Sequence, residues 1–396
     1  MLPLYFSFFT FQAINAVVNP YLQVLLRNAG YSYEMIGVLY ALYEAFGIIG
    51  PLVIGIVADR TGRYRSAMLL CTVGCAVAFV PLALSTSLVV TVLGLFFVAF
   101  SLRSLFPLQD TVATNFLQND AGRYARMRAF GTLGYILANL LFAAISFPRV
   151  DSNSSILLAL LICCAVFFVA TIFLPRRFCM GDPHKGSVPQ AGTTVSTRSD
   201  VPEKWFDVAF LIGLAAMGFS RISMAAVTSF FSLYMVEELG IDQLSFLTAV
   251  GATSEILMML YSGYLLQKKR VEPITLILLS SIGMMVRLLI YAFFPSYAGV
   301  FCGQLLHSLG FGAFHPAAVL FVARRVRRLH KGVGMSMYIS LATGLPAVLG
   351  SSLGGVLTAN YGYKTMFIVL SMFSIISVFI CLGFRKILTR PALEVY

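Results

Sequence analysis

Long apolar runs alternate with short polar interruptions along the whole chain. The runs fall at about 2–26, 33–58, 65–84, 87–118, 124–147 and 154–175, and again at about 205–236, 243–267, 272–294, 296–323, 332–359 and 362–384. Each is long enough, at about 1.5 Å per helical residue, to cross about 30 Å of hydrocarbon. The pattern predicts an all-α membrane protein with twelve spanning helices. They divide into a six-helix bundle over residues 1–175, a linker over 176–203 and a second six-helix bundle over 204–396. The linker mixes Pro, Gly, Ser and Thr with both charges, the composition of a flexible connector. The first run has no basic segment ahead of it, so it reads as a span and not as a cleaved signal.

Composition strengthens this reading. The chain has 396 residues, of which 59% are hydrophobic and 11% charged, and its mean hydropathy is +0.87. A soluble domain carries about 25% charged residues to cover its surface. The net charge of +12 raises the question of a nucleic-acid partner, which the placement of charge answers. Of 28 Lys and Arg residues, 22 fall in the loops after spans 2, 4, 6, 8 and 10 and in the C-terminal tail, while the opposite loops hold only Arg27, Arg149 and Lys364 beside Glu237, Glu238 and Asp242. That is the positive-inside asymmetry, and it predicts cytoplasmic termini and linker in the cell inner (plasma) membrane, with no nucleic-acid partner. The seven cysteines show no metal-ligand spacing, so no metal, cofactor or disulfide is expected. The chain has no HExxH run and no signalling domain, which argues against an intramembrane enzyme or a receptor. The expected partners are a small-molecule solute and the lipid bilayer, bound by a monomer.

Six ionisable residues lie inside the predicted spans: Arg103, Arg221, Arg287, Glu44, Asp110 and Glu255. Each costs about 2.5–3.5 kcal/mol at the bilayer centre if it faces lipid. They must therefore pair or line a wet crevice. Pairs that merely lock helices are the plain alternative, but buried pairs return little net stability, so a solute pathway is the better account of the set. Arg103 and Asp110 are seven apart, on nearly one face of span 4. His307 and His315 are eight apart on span 10, with Phe311 between them, and histidine titrates most readily near neutral pH. Gln12, Asn15 and Asn19 form a polar stripe on span 1, and Tyr40 stands one turn from Glu44 on span 2.

Between spans 2 and 3 the chain reads Gly55-Ile-Val-Ala-Asp59-Arg60-Thr-Gly62-Arg63-Tyr-Arg65. This resembles the GxxxDRxGRxR signature of the major facilitator superfamily, where it latches the cytoplasmic gate. Gly55 is expected to let helices pack closely, Asp59 to cap a helix or pair with an arginine, and Gly62 to make the turn.

Further runs are similar to the branch holding lactose, phenylpropionate and nucleoside permeases. Arg128 in Arg126-Met-Arg128-Ala-Phe130-Gly131 matches the span-5 arginine that pairs there with a span-4 acid, here Asp110. Arg287 resembles the arginine of the permease proton site. Gln304-Leu-Leu-His307-Ser-Leu-Gly-Phe-Gly312-Ala-Phe-His315 resembles the span-10 run of the phenylpropionate type, and Glu255 is the counterpart of the coupling glutamate. The chain departs at Gly310, where the lactose permease carries its proton on a glutamate. The resemblance implies proton-coupled symport of a sugar, nucleoside or aromatic acid by alternating access. Glu255, His307, Arg287 and Asp110 are its coupling candidates. Asp110, Arg128, Glu255, Asn15, Asn19, Glu44, Tyr40, Arg221, Arg103, Gln304 and His315 are its solute-binding candidates. The competing expectation is a proton-driven exporter, which usually carries a GPxxGG run on span 5. Here Gly131 and Gly134 stand without the proline.

Overall fold

The structure is a computed structural model. It describes residues 2–117, 121–175, 206–326 and 331–390, so the expected linker and the basic residues within it lie outside the described residues. Twelve long helices result: α1 (Leu2–Asn28), α2 (Tyr33–Thr61), α3 (Tyr64–Leu84), α4 (Leu88–Phe116), α5 (Ala121–Ala144), α6 (Asn153–Ile172), α7 (Val208–Leu233), α8 (Leu244–Gln267), α9 (Pro273–Phe293), α10 (Tyr297–Arg325), α11 (331–361) and α12 (363–383). Among the described residues, ten stretches are long and apolar enough to cross a membrane. The difference from twelve has two sources. α1 carries its polar stripe, and α11 and α12 are counted as one stretch although Gly362 breaks the helix at φ 77° and ψ 173°, a conformation open chiefly to glycine.

Local chemistry sets many of the helix ends. Ser32, Ser152, Asp207 and Ser296 accept backbone N–H bonds at the starts of α2, α6, α7 and α10. Gly62, at φ 65°, closes α2 in the left-handed region. Within the first six helices α1 packs on α5 and α6, and α4 packs on α2 and α3. In the second six, α7 packs along α11 and α12, and α9 meets α12 through Ser281 and Ser377 at 2.9 Å. Leu52, Leu70, Val89, Leu141, Phe173 and Phe379 stand more than half exposed on the outer faces. An apolar surface of that kind is stable only where lipid covers it.

The halves meet along α2–α11, α5–α8 and α1–α7. Gly37 and Gly355 let α2 and α11 touch: a Cβ on Gly37 would lie 2.6 Å from the Ser351 carbonyl oxygen, and one on Gly355 2.7 Å from the Tyr33 carbonyl oxygen. The side-chain hydrogen bonds that join the halves lie toward the end opposite the basic loops, among the described residues. Tyr21 meets Ser245, Gln23 donates to the Thr228 carbonyl, Asn360 donates to Glu34, and Arg27 and Tyr33 both donate to Glu237.

Candidate functional site

α9 and α10 build the centre of the second half. Arg287, only 1% exposed, spreads its guanidinium over three partners: Tyr291 Oη at 2.9 Å, His307 Nδ1 at 2.8 Å and Gln304 Oε1 at 2.9 Å. His307 Nε2 then lies 3.2 Å from Glu255 Oε2 on α8. The guanidinium has only donors, so His307 Nδ1 must accept. A neutral imidazole then holds its single proton on Nε2, aimed at Glu255. The side chains of His307 and Glu255 are each 20% exposed, so water reaches the carboxylate end of the relay but not the arginine end.

Backbone shape makes room for this chain of bonds. Gly251, one turn before Glu255, has Gln304 Oε1 2.7 Å from where a Cβ would stand and His307 Cδ2 at 3.5 Å. After His307 the helix widens into a π-turn over Ser308–Ala313, a form concentrated at functional sites. The turn releases the Gly310 carbonyl, which accepts from Arg221 at 3.2 Å and Ser280 at 3.3 Å. His315 lies beyond it and stacks flat on Phe311, with ring centroids 5.5 Å apart, outside the Arg287–His307–Glu255 chain.

Among the described residues, two ion pairs stand within the spans of the first half. Glu44 on α2 accepts from Arg103 on α4 at 2.6 Å, with Tyr43 beside the guanidinium and buried Tyr40 one turn from Glu44. Asp110 on α4 lies 3.6 Å from Arg128 on α5, whose guanidinium covers the Phe106 ring at 4.5 Å. Arg103 and Asp110 therefore serve different helices, whatever face they share. Arg128, counted among the loop residues but expected from the resemblance to pair with Asp110, does meet it from within α5 and adds a fourth arginine to the three read inside the spans. On α1, Asn15 donates to Gln12 at 2.8 Å, and exposed Asn19 stands beside Tyr135 of α5.

The loop motif is organised differently from expectation. Asp59 accepts from Tyr64 at 2.7 Å and not from an arginine, because Tyr64 opens α3 directly across the turn that Gly62 makes. Arg65 donates to the Ile172 carbonyl, which ties the loop to the end of α6. Arg60 and Arg63 are exposed. Gly55 supports no close packing: a Cβ there meets nothing within 4 Å. The close approaches of α2 are instead at Gly37 and at Gly50, which lies against the Phe100 backbone. Tyr291, Gly251 and the Glu237 cluster were not singled out by sequence. Tyr291 alone left a signal there, four residues after Arg287 on the same helical face.

The profile described as the MFS_1 like family matches residues 2–369. The chain belongs to that family. It is a membrane transporter of the major facilitator type and not an enzyme. A maltose permease of Geobacillus stearothermophilus is 26% identical over 387 residues, covering 96% of this chain and 92% of the relative. The uncharacterized transporter YwbF of Bacillus subtilis (strain 168) is 22% identical, covering 94% and 89%. Among solved structures, the nucleoside transporter NupG superposes with a TM-score of 0.76 at 18% identity, covering 97% of this chain and 98% of that one. That likeness establishes the shared fold.

Proposed function

We propose that this transporter is a proton-coupled symporter that imports a small organic solute, such as a sugar, nucleoside or aromatic acid, by alternating access. The observation that carries the coupling is the bond from Arg287 to His307 Nδ1. Imidazolium would turn that nitrogen into a second donor facing a guanidinium, so His307 stays neutral while the contact lasts. Glu255, at the wet end of the relay, is then the group that takes and releases the proton. Its charge helps to offset Arg287 through the imidazole, and protonating it unbalances the cluster. That is the electrostatic change a coupled conformational step requires.

The pair of Asp110 and Arg128, set loosely at 3.6 Å, supports a role in meeting polar groups of the solute. The bonds around Glu237 join the halves at the end opposite the basic loops, which supports an outward-closed state of a monomeric inner-membrane carrier with its basic loops and termini in the cytoplasm. The test is Glu255→Gln in proteoliposomes, with a pooled solute mixture and an imposed pH gradient. Uphill accumulation is expected to vanish while solute exchange without a gradient persists. Wild-type accumulation by the variant would refute the assignment.

A further inference from the structure

Three of the four arginines inside the spans are tied to carboxylates. Arg103 meets Glu44, Arg128 meets Asp110, and Arg287 reaches Glu255 through His307. Arg221 of α7 is the exception among the described residues. It is 7% exposed, and its one hydrogen bond goes to the Gly310 carbonyl. Its guanidinium lies on the Phe314 ring, 3.6 Å from the centroid, with Phe311 at 5.4 Å. Nε and Nη1 make no hydrogen bond among the described residues. A neutral carbonyl and two rings do not compensate a buried full charge as a carboxylate does.

We propose that Arg221 is the receptor for a negatively charged group of the solute, and that the solute is a small organic monoanion with an apolar or aromatic body. This rests on the crevice being the solute path. Charge sets the valence. With Glu255 ionised and His307 neutral, four guanidinium groups stand against three carboxylates, so one negative charge balances the set before the proton is taken up. Chemistry sets the head group. Nη2 keeps a second N–H beside the one on Gly310, and with Nε–H or Nη1–H it presents a planar two-donor edge that matches a carboxylate with two parallel bonds. The surroundings set the body. Fully buried Phe314 lies beneath the guanidinium and Phe311 stacks on His315 beside it, surroundings that favour a flat or apolar group over a polyol. Neutral solutes would leave Arg221 uncompensated at every turnover.

Matched acids and amides separate this role from a purely structural one, in which Arg221 merely holds the Gly310 carbonyl. The full chain in detergent would be melted with benzoate against benzamide, phenylacetate against phenylacetamide and hexanoate against hexanamide, with uridine and maltose as neutral probes. At least one acid is expected to raise the wild-type melting temperature by about 2–4 °C more than its amide. That difference should disappear in Arg221→Gln and Arg221→Met, each read against its own baseline, and survive in part in Arg221→Lys. Either charge-removing variant suffices if the other fails to fold. The proposal is overturned if no acid exceeds its amide, if only neutral probes stabilise the protein, or if the acid effect persists without the arginine. The measurement uses no pH gradient. Acid binding through Arg221 combined with accumulation that ignores the gradient would remove the coupling reading and leave this one standing.

Discussion

Arg27 Nε donates to Glu237 Oε1 at 2.6 Å across the seam between the two halves. Tyr33 of α2 and Tyr363 of α12 donate to the other oxygen of the same carboxylate, at 2.5 and 3.1 Å. One side chain on the π-turn that ends α7 therefore gathers donors from α1, α2 and α12. Any state that opens this end must break the bonds to α1 and α2.

Glu237→Gln keeps the size and one acceptor but removes the charge. Charge-assisted bonds contribute about 1.5–3 kcal/mol and neutral ones about 0.5–1.5, and partial exposure reduces the difference to about 1 kcal/mol. The closed population should fall about fivefold against the open one. Maleimide labelling of Ser351→Cys, a seam position 1% exposed, reads this directly in a background lacking exposed Cys302. An unchanged labelling rate would show that Glu237 is no latch.

Gly355→Ala should act in the same direction by a steric route. The new Cβ would meet the Tyr33 carbonyl oxygen at 2.7 Å, and backbone cannot swing aside as a side chain does. Overpacking of this kind costs about 1–3 kcal/mol. Faster labelling at Ser351→Cys and a lower melting temperature are expected, whereas Gly263→Ala, with open space around it, should leave both unchanged. Equal behaviour of the two alanines would contradict the seam geometry.

Arg287→Lys keeps the charge but not the fork. An ammonium on a flexible stem cannot hold Tyr291, His307 and Gln304 in their present directions at once. Loss of one charge-assisted bond, about 1.5–3 kcal/mol, predicts roughly 10- to 100-fold slower gradient-driven uptake. Wild-type uptake in proteoliposomes would mean that the His307 tautomer is not set by the guanidinium.

Gly251→Ala separates the site from the fold. Its Cβ would stand 2.7 Å from Gln304 Oε1, an atom at the end of a flexible side chain and not of the backbone. The melting temperature should fall by no more than a few degrees, corresponding to about 1 kcal/mol. Uptake should fall further, because Gln304 and His307 must move off Arg287. Parallel small losses in both readings would reduce Gly251 to a packing residue.

Span edges were legible in the sequence to within about three residues, because each apolar run must match the same hydrocarbon thickness. The coupling chain was partly legible: the resemblance drew attention to Arg287, His307 and Glu255, and the structure joins all three. What escaped depends on a neighbour that one helix cannot name. Helical spacing put Arg103 and Asp110 on one face, and the resemblance supplied Arg128 for Asp110, but nothing named Glu44 on α2 as the partner of Arg103. Gly251 matters only because Gln304 fills the space its missing side chain leaves, and Gly55, which matches a motif, has no such neighbour. The charge count alone left Arg128 among the loop residues, because an arginine near a helix end looks the same in sequence whether it points to water or to a neighbouring helix; only the resemblance paired it with Asp110.

All three π-turns among the described residues, Tyr234–Glu238, Ser308–Ala313 and Ser340–Gly344, belong to α7, α10 and α11. Each packs one surplus residue into a helical turn, and that surplus can be passed along the helix without unravelling it. The second bundle thus carries slack where the first, among the described residues, is wound as plain α-helix. When the carrier turns over, flexure should concentrate in α7, α10 and α11, which hold the Glu237 latch, the Gly310 carbonyl and the seam glycine, while α1 to α6 swing as a stiff lever.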